Sequence, residues 1–119
     1  MRERHPHLVF ATLHGFTESG PYGGRPAYDD IIQGMSGIAD LARLQGHEPQ
    51  YFPSATADKT SGLIAAMSIM AALLAREKDG RGRQVEVPMF ENMAAVVLAV
   101  IAMWVRRIRR REEGRGRKA

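Results

Sequence analysis

From Leu8 to Leu13 the chain is apolar and rich in Val, Phe and Thr, and it halts at His14-Gly15. That pattern predicts a short buried strand running into a loop. The loop, GFTESGPYGGRP, holds four glycines and two prolines, too many for the interior of any element. Beyond it Ile31, Ile32, Met35, Ile38, Leu41 and Leu44 recur at helical spacing. They predict an amphipathic helix from Tyr28 to Leu44, with Asp29 and Asp30 in the first turn, where the helix dipole favours negative charge. QGHEPQYFPSATA is a second irregular connection. A second helix is expected from about Thr60 to Lys78, with Leu63, Ile64, Met67, Ile69, Met70, Leu73 and Leu74 covering most of its circumference. A helix apolar nearly all round is expected to be buried on several sides. KDGRGRQ stops it, QVEVPM alternates as a short strand that Pro88 ends or places at an edge, and a third helix runs from Phe90 into an arginine tail.

Strand, helix, helix, strand, helix is an α/β order, and 119 residues at 45% hydrophobic content hold one small domain. Both long helices are too apolar for a free-standing domain of this size, which points to a partner surface or to further chain. The absence of cysteine removes disulfides, thiol nucleophiles and thiolate metal sites, and makes the cytoplasm the expected compartment.

The formal charge of +4 is unevenly placed. From Arg106 onward eight Lys/Arg face two Asp/Glu, giving +6, whereas residues 1–105 carry nine and eleven, giving −2. The body is mildly acidic and only the tail is basic, which argues against a nucleic-acid-binding domain. The uninterrupted apolar run Met93 to Val105 is 13 residues long, short of the roughly 17–25 that span a bilayer. A buried or interfacial helix is expected there, with no transmembrane span.

The chemistry-bearing patterns are few. GMSGI is not a nucleophile elbow, because its glycine comes one position too early. Neither a phosphate-binding Walker loop nor G-x-G-x-x-G occurs. His5, His7, His14 and His47 lack metal-ligand spacing and acidic partners, so no metal is expected. Two places remain. Asp58, in ATADKTSGLIAAM, stands where the second helix should begin. It can serve as an N-cap, and the same position suits a carboxylate nucleophile, kept ionised by the helix terminus and close to free N–H groups. GPYGGRPAY is open to two readings: a structural loop, or a cradle for a ligand bearing phosphate and an aromatic ring.

Taken in order, GFTESGPYGGRPAYDDIIQGMSG and ADKTSGLIAAMSIMAALLAREKDGRGRQVEVPMFENMAAVVL resemble the family III CoA-transferases, the group that includes formyl-CoA transferase, the carnitine-linked CoA-transferases and α-methylacyl-CoA racemase. The likeness runs from about Leu8 to Leu98, with residues 99–119 a divergent helix end and basic tail. It implies part of a large Rossmann-like domain in which Asp58 is the nucleophile and Arg25, Pro26, Ala27 and Tyr28 contact coenzyme A. It further implies transfer of CoA from an acyl-CoA to a carboxylate acceptor, through an aspartyl mixed anhydride and an aspartyl-CoA thioester, in an interlocked homodimer. The racemase branch has a histidine where this chain has Tyr28, which favours transfer over racemisation. Family members are longer, so the chain is expected to be an internal fragment, inactive alone. The rival expectation is a non-enzymatic, membrane-associated remnant anchored by residues 93–119.

Overall fold

The computed structural model describes residues 4–116, with side chains through residue 110. Strand β1 (Phe10–His14) pairs in parallel with β2 (Gln84–Pro88), Phe10 opposite Gln84 and His14 opposite Pro88. A parallel pair needs a crossover connection. Here it consists of helix α1 (Asp29–Ser36), a 3-10 segment (Ile38–Gln45) and helix α2 (Thr56–Asp79), and helix α3 (Met89–Gly116) follows β2 directly. The α/β order expected from the sequence is the order observed.

Three local expectations are corrected. The continuous helix from Tyr28 to Leu44 is broken at Gly37, whose φ of 82° lies in the left-handed region and whose N–H donates to the Gly34 carbonyl. Glycine adopts that conformation without a Cβ penalty, so α1 stops there and the chain resumes as a 3-10 turn. Helix α2 starts at Thr56 rather than Thr60, which puts Asp58 inside the first turn; its N-cap is Ala55, and no side chain of its own caps it.

The expected burial of α2 on several sides is the third correction. Its buried residues are Ala57, Ser61, Ala65 and Ala72, all small. Four of its large apolar residues point outward, with Leu63 at 68% and Leu74 at 67% exposure and Met67 and Met70 above half, while Ile64, Ile69 and Leu73 are half-buried. Small residues let helix and sheet approach closely, while those four are left as a stripe at four-, three- and four-residue intervals.

Two segments, Thr56–Asp79 and Met89–Arg110, are long and apolar enough to cross a bilayer, contrary to the expectation from the uninterrupted run alone. The run count stops at the first polar residue, whereas a spanning window tolerates one or two. Both helices also pack within the fold, α2 against α1, α3 and the strands. Helix α3 carries the chain well beyond the rest: the radius of gyration is 19.3 Å, against about 13–14 Å for a compact domain of this length. The basic tail beyond Arg110 lies outside the described side chains.

The turn KDGRG is fastened by Arg83, whose Nη2 donates to Asp79 Oδ2 at 2.6 Å. That bond, followed by the Arg81 N–H, holds the Asp79 carboxyl below its ordinary value. Centrally, Phe16, Ile32, Ala57 and Met93 form the core cluster, with Ala27, Ile38, Met89 and Phe90 packed on it. The core therefore joins the loop after β1, α1, the first turn of α2 and the start of α3.

Candidate active site

The loop after β1 is held by β2 and by the start of α3. The Phe90 N–H donates to the Gly15 carbonyl at 2.9 Å, and the Thr17 N–H donates to Glu91 Oε1 at 3.1 Å. Glu86 Oε1 accepts the Thr17 hydroxyl and the Glu18 N–H, each at 3.0 Å. These bonds, the Glu18 amide foremost, hold the Glu86 carboxyl below its usual range. A Cβ added at Gly15 would collide with the Ala27 methyl. Only glycine permits this contact, which folds the RPAY segment back against the end of β1.

From there the chain enters α1 through Tyr28, its N-cap, extended at φ −112° and ψ 167°. Asp29 and Gln33 follow four residues apart, so they share a helix face. Gln33 is 2% exposed and makes four contacts. Its Nε2 donates to Asp29 Oδ2 at 2.6 Å, to the Ser54 carbonyl at 3.2 Å and to the Phe52 carbonyl at 3.4 Å, while its Oε1 accepts the Phe52 N–H at 2.7 Å. The loop entering α2 is thus tied to α1 by one buried amide. Asp29 uses its other oxygen to accept the Asp58 N–H at 3.0 Å.

The N-cap reading of Asp58 is overturned by this geometry. A first-turn N–H of α2 is satisfied by Asp29, from another helix 29 residues earlier. The carboxylate of Asp58 is left exposed, without a hydrogen-bond or ion-pair partner among the described residues. Lys59, next to it, is engaged with Ser54 Oγ at 2.8 Å. An anion there faces the positive end of a 24-residue helix.

The two sequence-derived places, 30 positions apart, are brought together at the Tyr28-Asp29 step, because Asp29 is bonded to Asp58. Tyr28 is 72% exposed and open to a ligand. Ala27 packs on the core, and Arg25 and Pro26 are exposed, with the Arg25 guanidinium 5.2 Å above the Tyr22 ring. Among the described residues no group of three or more His, Asp or Glu could hold a metal ion. Sequence reasoning missed Gln33, Glu86 and Glu91. The i, i+4 pairing of Asp29 with Gln33 on an otherwise apolar helix was the available signal for the first.

Comparison with known proteins gives the family and the fold. The structure superposes on a CAIB/BAIF family protein from Brucella suis with a TM-score of 0.78 and 34% identity, over 87% of this chain and 28% of that one. In sequence, 100 residues are 33% identical to the acetyl-CoA:oxalate CoA-transferase of Acetobacter aceti, covering 83% of this chain and 26% of the relative. A probable fatty acyl-CoA transferase of Mycobacterium tuberculosis is 33% identical over 91 residues, 76% of this chain and 23% of its own length. The model of CoA-transferase family III matches residues 1–119, and the chain belongs to that family. It spans about a quarter of the length of these curated relatives.

Proposed function

We propose that this chain carries the nucleophile of a CoA transfer, and that the nucleophile is Asp58. The observation that carries the proposal is the exposed, unpartnered carboxylate in the first turn of α2, held by Asp29 through its own backbone. The Asp58 carboxylate attacks the carbonyl carbon of an acyl-CoA thioester, the C–S bond breaks, and CoA leaves as thiolate. The thiolate then attacks the Asp58 carbonyl of the mixed anhydride, forming aspartyl-CoA and releasing the donor's carboxylate. An acceptor carboxylate repeats the two steps in reverse, taking CoA and restoring Asp58. Covalent catalysis divides one transfer into lower barriers.

Arg25, Pro26, Ala27 and Tyr28 form the proposed CoA contact. Arg25 has no acidic partner among the described residues, so its guanidinium is available to a phosphate. Tyr28 ends that segment next to Asp29, which accepts the Asp58 N–H, and a tyrosine there supports transfer over the acid/base racemisation of the histidine-bearing branch. The relatives' names give oxalate, succinate and glutarate among their substrates, which makes small dicarboxylates the first acceptors to try. We propose residues 1–98 as the CoA-transferase part, residues 99–119 as a helix end with a basic tail, and the cytoplasm as the compartment. Homodimerisation would cover the outward stripe of α2. The isolated chain is expected to be inactive, since remote binding contacts drive the chemical step.

The test is CoA transfer from acetyl-CoA to oxalate, followed by chromatography of the CoA esters, in the whole protein that contains this segment. Asp58→Asn is expected to abolish transfer. Unchanged transfer in that variant removes Asp58 from the mechanism.

A further inference from the structure

We infer that Asp29 and Gln33 are positioning residues for Asp58, forming a clamp on α1 that fixes both the entry to α2 and the backbone of the nucleophile. The inference rests on Asp58 being the nucleophile, and its structural basis is independent of that role. Gln33 is buried at 2% exposure, yet all its polar atoms are used. Its orientation is fixed by its neighbours: the Phe52 N–H requires an acceptor, and Asp29 Oδ2 and the carbonyls of Phe52 and Ser54 require a donor. Asp29 is fixed in turn, because one oxygen meets an amide of Gln33 and the other meets the Asp58 N–H. Each link therefore specifies the next, from Phe52 through Gln33 and Asp29 to Asp58.

A bond to the backbone leaves the Asp58 side chain free for chemistry while restricting where that side chain starts. The carboxylate of Asp58 would otherwise ride on the first turn of a helix, the part most prone to fray. Positional error of this kind is costly for reactions that need a near-attack geometry. Near-isosteric substitutions should break the clamp without changing its volume. Asp29→Asn keeps one acceptor but turns its amide toward either the Asp58 N–H or Gln33 Nε2, opposing two donors. Gln33→Glu turns a carboxylate oxygen toward three acceptors.

The test begins with the 119-residue chain itself, which contains five aspartates, so selective ¹⁵N-aspartate labelling gives one amide resonance for each. In the unmodified chain the Asp58 amide is expected to lie downfield and to exchange with solvent about tenfold more slowly than an unbonded first-turn amide. Asp29→Asn and Gln33→Glu should remove both properties while the Asp40 and Asp79 resonances stay in place. An unshifted, fast-exchanging Asp58 amide in the unmodified chain overturns the inference without any variant. In the whole protein both variants should lower kcat about ten- to a hundredfold with little change in KM for acyl-CoA. A rise in KM at constant kcat would assign the pair to binding and likewise overturn the inference. The nucleophile reading fails separately, if Asp58→Asn still transfers CoA while the Asp58 amide behaves as described.

Discussion

The first turn of α2 and the outer face of the same helix are built on opposite principles. At the first turn, Ala57 is fully buried, Asp58 is bonded through its backbone to Asp29, and the preceding loop is tied down by Gln33. One and more turns further on, Leu63, Met67, Met70 and Leu74 form a stripe with nothing packed on it within the described residues. The corner that holds the proposed nucleophile is completed by this chain's own residues. The outer face is not: a stripe of this kind is normally covered by other protein. Geometry at Asp58 and stability of the chain are therefore separable properties, and the three changes below act on them differently.

The largest effect is expected in the core beneath the corner. Ile32 is 0% exposed and joins α1 to Phe16, Ala57 and Met93. Ile32→Ala should lower unfolding free energy by about 2–5 kcal/mol, enough to remove cooperative melting measured by circular dichroism. A melt like that of the unmodified chain would show that the corner does not depend on this core.

A change on the outer face should do the reverse. Leu63→Lys with Leu74→Lys is expected to shift sedimentation toward a monomer, while moving folding stability by no more than about 0.5 kcal/mol per site. Loss of folding in that double variant would mean the stripe is structural within the chain, and the contrast between the two faces would disappear.

The smallest effect concerns pH. Glu86 has a folded-state pKa below its ordinary value of 4.5, so its contribution is complete above that value and is lost as the pH falls through the lowered one. Protection of the amides of residues 15–18 against hydrogen exchange, taken relative to the unstructured rate at each pH, should fall as the pH drops below 4.5. Glu86→Gln should flatten that dependence. A pH response left intact in the variant would assign it to another carboxyl.

Much of this was legible in the residues. The presence of two short strands, the turn at Gly80, the order of elements and the location of Asp58 at the start of a helix all follow from local pattern, although β1 starts and ends later than the apolar run from Leu8 to Leu13. The break at Gly37 was hidden because apolar spacing continues across it: Ile38, Leu41 and Leu44 are three apart, a spacing that keeps one side in both α and 3-10 turns. The true start of α2 was hidden for a different reason, since its cap comes from Asp29 in another helix. Gln33 reads in sequence as a polar interruption of an amphipathic face, and only its three contacts with Phe52 and Ser54 show why it is buried. The burial of small rather than large residues on α2 is likewise non-local, because it depends on how closely the neighbouring helices and strands approach.

The central claim is that Asp58 becomes covalently bound to CoA. The direct measurement is mass spectrometry of the peptide containing residue 58, taken from the whole protein after brief incubation with acetyl-CoA and borohydride quenching, which reduces an aspartyl thioester to homoserine. The account predicts homoserine at position 58, absent from the Asp58→Asn variant. A reduced residue elsewhere in a protein that still transfers CoA would contradict it.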